Sequence, residues 1–109
     1  MPKINGHVGR KAAITVDGKP LDVWVFPQNM ADEIACIKAA EGAMSDGLGP
    51  VLSGATFVSR MARKQDGSPV WADAQAVTDA VTTEECLAAM EELKRVDAEL
   101  AEGARLGNP

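Results

Sequence analysis

Ala12, Ile14 and Val16 alternate with polar neighbours, and after Asp17-Gly18 the alternation resumes at Leu21, Val23 and Val25. Period-two patterning around an Asp-Gly pair predicts a β-hairpin closed by a type I′ turn. A two-residue loop pairs Val16 with Lys19, Ile14 with Leu21 and Ala12 with Val23, all on one face. Pro20 then sits opposite Thr15 at a site that asks for no ladder N–H. Thr15, Asp22 and Lys11 take the other face, joined near the end by Trp24 and Phe26. Pro27 ends the second strand.

The period then changes from two to 3.6. Asn29 is placed to cap a helix over residues 30–45, with Asp32 and Glu33 in the first turn where the helix dipole favours acids. Met30, Ile34, Ile37, Glu41 and Met44 share one stripe, and the run Asp46-Gly47-Leu48-Gly49-Pro50 stops the helix, with Gly47 as the left-handed cap. Over residues 51–65 two patterns compete. Val51, Leu52, Ala55, Val58 and Met61 or Ala62 recur at helical spacing, whereas Thr56, Phe57 and Val58 have strand propensity. The spacing favours a helix. Gln65-Asp66-Gly67-Ser68-Pro69 makes a turn and Val70-Trp71 a short apolar peg. Asp73 caps a brief helix over 74–81, with Ala76, Val77, Ala80 and Val81 inward. Thr82 and Glu85 form a capping box for the longest helix, on which Leu87, Met90, Leu93, Val96 and Leu100 are read as one stripe. The expected fold is α+β: one domain over 1–109, with a two-stranded hairpin at 10–26, three to four helices within 30–105, and a fraying tail at 106–109.

Composition narrows the function more by exclusion than by assertion. The chain of 109 residues has four aromatic side chains, so alanine and short aliphatics must fill most of its core. Its net charge of −5 is uneven, −1 over residues 1–54 and −4 over 55–109. An acidic chain lacks the long-range attraction to phosphate that non-specific nucleic-acid binding needs. The opening residues have no apolar stretch after their charges, and no run reaches the roughly 20 apolar residues of a membrane span, so a soluble intracellular protein is expected. Cys36 and Cys86 are far apart and read as reduced, buried thiols. His7 stands alone, without ligand spacing to a cysteine or a second histidine. Gly47-Leu48-Gly49-Pro50 follows a helix and lacks the Lys-Ser or Lys-Thr of a phosphate loop. Ser53-Gly54 lacks the glycine of a nucleophile elbow. Glu84-Glu85 and Glu91-Glu92 are sequence neighbours, so each pair diverges on a helix. No catalytic residue, metal ligand or cofactor site emerges. Arg60, Arg63 and Lys64 form a small basic cluster suited to surface or partner contacts.

The order of elements over residues 51–96 resembles the tail assembly chaperones of long-tailed bacteriophages and related prophages. Arg60 and Ala62 fit the end of the family's helix, Asp66-Gly67 its acidic turn, Val70-Trp71 its aliphatic-aromatic pair, and Asp73 the acid that opens the next helix. Arg63-Lys64-Gln65 departs from the acids usual before that turn. The resemblance implies a non-enzymatic protein of the infected host's cytoplasm that coats the helical tape measure protein, contacts the tail tube protein, and is absent from the mature virion. It also brings the family's frequent second product, made longer by ribosomal frameshifting.

Such a role asks for an apolar groove with adaptable side chains and a charged rim. Met61, Leu87, Met90, Leu93 and Leu100 are candidates for the groove, and the acids of the last helix for the rim. Arg60, Met61, Val70, Trp71, Leu87, Met90 and Leu93 form the expected protein-binding set, although the same Leu and Met spacing also suits the domain's own core. A head–tail connector or tail completion protein, or a small regulatory binding module, would fit the same pattern. Exposed hairpin edges and the amphipathic last helix predict weak homo-oligomers.

Overall fold

The computed structural model describes residues 3–4, 7–42 and 49–105, with side chains over 9–41 and 51–102. Its order is β1 (Lys3–Ile4), β2 (His7–Val8), β3 (Arg10–Val16), β4 (Lys19–Val25), α1 (Met30–Gly42), α2 (Gly49–Met61), α3 (Ala74–Ala80) and α4 (Thr83–Arg105). The α+β arrangement of an N-terminal hairpin followed by helices is borne out, with four helices among the described residues. A further short antiparallel pair, β1 with β2, precedes the hairpin and was not foreseen. Met44, the Gly47 cap, the His7 side chain and the tail at 106–109 lie outside the described residues.

The β3–β4 register is the expected one, including Thr15 opposite Pro20. Asp17 and Gly18 have φ of 52° and 76°, the left-handed pair that a type I′ turn requires. Residues 62–70 then fold back onto β4. Trp24 N donates to Arg63 O at 2.8 Å and Arg63 N to Trp24 O at 3.1 Å, while Val70 N donates to Ala62 O. Arg63 thereby covers part of the β4 edge that was expected to stand open for self-association.

The competition over 51–65 resolves as helix through Met61, followed by this strand-like bridge at Arg63. Beta-branched and aromatic residues are tolerated in α2 because the helix is buried on most sides: Ala55, Phe57, Val58 and Met61 are each less than 9% exposed. α2 packs against α1, α3 and α4, and α4 lies across β3. The core forms where these meet, from Ala12, Ile14, Val23 and Val25 of the hairpin, Val58 and Met61 of α2, Val77 of α3, and Ala89, Leu93 and Val96 of α4.

Two stripes are corrected. On α4 the inward face runs through Cys86, Ala89, Leu93, Val96 and Leu100, while Leu87 is 56% exposed. At 100° per residue Leu87 lies about 120° from Leu93, outside the arc that touches the core. On α1 the stripe of Met30, Ile34 and Ile37 faces solvent. The opposite face is held against α2 instead, where buried Asp32 receives Arg60 Nε at 2.8 Å and Cys36 packs on the core.

Helix ends follow local chemistry. Asn29 and Asp32 cap one another, with Asp32 N donating to Asn29 Oδ1 at 2.9 Å and Asn29 N to Asp32 Oδ2 at 3.1 Å. Asp73 accepts from Ala76 N at the start of α3. The Thr82–Glu85 box is present, and the Glu85 carboxylate also accepts from Asp17 N at 3.2 Å and Gly18 N at 2.8 Å. One side chain thus caps α4 and ties the hairpin turn to it. Hydrogen bonds from the backbone of Thr82, then Gly18 and Asp17, hold its carboxyl below the ordinary value of 4.5. A carboxyl more acidic in the folded chain adds stability that is present above the unfolded value and fades as pH falls through the folded one. Glu85→Gln should therefore lower Tm at pH 7, with the gap to wild type narrowing steadily below about pH 4.5. Thermal melts followed by circular dichroism across that range test this; a gap that does not depend on pH would refute it.

Candidate functional site

An open groove of about 300 Å³ lies between α2, α3 and α4. Val51, Gly54 and Ala55 line it from α2, Val77 and Thr78 from α3, and Cys86, Leu87 and Met90 from α4, with Val81, Thr82 and Thr83 at the α3–α4 junction. The lining is mostly apolar. Val51 and Leu87 stand at its mouth, 52% and 56% exposed. Gly54 leaves room for the thioether at this crossing: a Cβ there would lie 2.7 Å from Met90 Sδ, and the flexible methionine side chain would have to shift. Glu84 and Glu91 are exposed three residues before and four after Leu87, which places carboxylates on both sides of it along α4.

A second depression, about 450 Å³, opens on the other side of Met90 between α1, α2 and α4. Gln28, Glu33, Cys36, Ile37, Phe57 and Lys94 are among its walls, and Lys94 Nζ sits 5.5 Å from the Phe57 ring centroid. This surface is wider and more polar than the groove. Gln28 N donates to Asp97 Oδ1 at 2.9 Å, tying the segment before α1 to α4.

The expected binding residues separate into three groups. Leu87 and Met90 line the groove. Met61 and Leu93, 2% and 0% exposed, belong to the core and offer no surface to a partner. Val70 and Trp71 are half-buried and pack against that core from the loop after Arg63, while Arg60 is committed to Asp32. Arg63 is likewise engaged, its Nη1 donating to Gly67 O at 2.9 Å. The basic cluster is thus largely used to fix the chain to itself. Val51, Val77, Val81 and Cys86 were not expected in a site. Their helical spacing marked the valines as apolar positions, but only the gap left by the seven-residue α3 turns them into a groove wall.

Cys36 and Cys86 are free and half-buried. Burial raises both thiol pKa values, helped at Cys36 by the nearby Asp32 carboxylate, so both are protonated and weakly nucleophilic at neutral pH. Among the described residues no three His, Cys, Asp or Glu side chains converge as a metal site, and no helix is long and apolar enough to cross a membrane. Compared with protein-family models, curated proteins and solved structures, the chain has no match.

Proposed function

We propose that this chain is a non-enzymatic tail assembly chaperone, which holds apolar helical segments of a tape measure protein in the groove between α2, α3 and α4 in the host cytoplasm. Contact with the tail tube protein and absence from the mature particle belong to the same reading. The observation that carries it is the groove, an apolar trough with two large aliphatic side chains left at its mouth. Burying the exposed half of each side chain under a partner helix is favourable by roughly 1 kcal/mol. Met90 at the floor adapts to differing side chains along a long, irregular helix, and Glu84 and Glu91 keep the loaded rim hydrated.

Co-expression with a candidate tape measure protein tests the proposal. Wild type should keep that protein soluble and co-purify with it. Leu87→Asp should reduce recovery about tenfold or more, with an unchanged circular dichroism spectrum. Failure of wild type to improve either solubility or recovery would end the chaperone reading. Persistence of the chain in purified particles, read by mass spectrometry, would replace it with a connector or tail completion role.

A further inference from the structure

The outward stripe of α1 has a pattern of its own, independent of the groove. Met30, Ile34 and Ile37 are 76%, 44% and 51% exposed and fall within an arc of about 60°. Asp32, on the opposite side, pairs with Arg60 of α2. The steps from Met30 to Ile34, Ile37 and Glu41 alternate four, three and four residues, which is the seam spacing of a coiled coil. Glu33 flanks this seam on one side and Lys38 on the other. Both are exposed, and neither joins an ion pair among the described residues.

Those two charges specify the occupant. In a parallel pair of helices, the flank that precedes the seam on one helix meets the flank that follows it on the other, one turn further on. Glu33 and Lys38, five residues apart, meet that condition against an identical helix and do so twice. Antiparallel pairing would set Glu33 near Ala40 and Lys38 near Ala31, leaving both charges unused. We propose that α1 is a self-association surface, pairing in parallel with α1 of a second copy. Ile34 meets Ile34 and Ile37 meets Ile37, while Glu33 of each copy faces Lys38 of the other. The two Glu41 carboxylates meet at the far end of the seam and oppose the pairing there. A 13-residue helix offers less than the area of a permanent interface, so the dimer is weak and reversible.

Sedimentation equilibrium on the full chain, up to millimolar concentration, decides the matter. Wild type should show a reversible monomer–dimer equilibrium. Lys38→Glu and Glu33→Lys should each weaken it about fivefold or more, and the double swap should return it to within about twofold of wild type. Glu33→Lys also places a cation in the first turn of α1, so Lys38→Glu is the cleaner single variant. Circular dichroism checks that each variant is folded. A monomer at all concentrations, a dimer indifferent to Lys38→Glu, or a double swap that fails to restore pairing would each overturn the proposal.

Discussion

Leu93→Ala is expected to remove about 3–4 kcal/mol of stability, whereas Leu87→Ala, six residues earlier on the same helix, should remove less than about 1 kcal/mol. Leu93 is fully buried where α4 meets the hairpin and α2, and neighbours on separate elements cannot all close in on the lost side chain. Leu87 already has more than half its surface in water and leaves no closed void. Total stabilities of such domains are about 5–15 kcal/mol, so the first change should lower Tm by roughly 10–20 °C. Urea titrations of both variants give the comparison directly. Equal losses would mean that Leu87 reaches the core and that the groove beside it is not open.

The contrast between these two leucines also shows why the site was harder to read than the fold. Every strand pair of the hairpin followed from alternation, the Asp17-Gly18 turn and one proline, because strand register is set by neighbours in sequence. The caps at Asp73 and Thr82 were equally local, since a side chain three residues from its acceptor needs no tertiary information. Leu87 and Leu93 required a global quantity, the direction from which α2 and the hairpin approach α4. Both are leucines in one amphipathic stretch, and a stripe drawn slightly too wide takes in both.

The outward stripe of α1 was hidden for a different reason. Three large apolar residues at helical spacing argue for the core, and alanine-rich opposite faces argue only weakly against it. The inward face is marked by a polar contact between Asp32 and Arg60, 28 residues apart, and neither residue type announces burial. The groove depends in the same way on Gly54 meeting Met90, a pairing between α2 and α4 that local spacing does not reveal.

Arg60→Ala should therefore be more damaging than its half-exposed position suggests, at about 2–3 kcal/mol. Asp32 is 3% exposed, and its Oδ1 accepts from Arg60 Nε while Oδ2 accepts from Asn29 N. Removing the guanidinium leaves a buried carboxylate with one backbone partner, and stranded charges of this kind cost more than the intact pair contributes. The fully buried case costs about 3–5 kcal/mol, and water reaching the exposed part of the Arg60 side chain, 39% accessible, reduces it here. Asp32→Asn should cost only about 1 kcal/mol, because its amide oxygen still accepts a hydrogen bond and Arg60 can turn to solvent. The double variant should cost less than the two single changes together, since the arginine no longer neutralises anything. Urea denaturation of the four proteins measures the coupling, and additive losses would show that the pair does not hold α1. Loss of coupling would also reach the surface of the molecule. Arg60 anchors the face of α1 opposite Met30, Ile34 and Ile37, so weakening that anchor should loosen α1 on α2 and blunt the self-association assigned to its stripe.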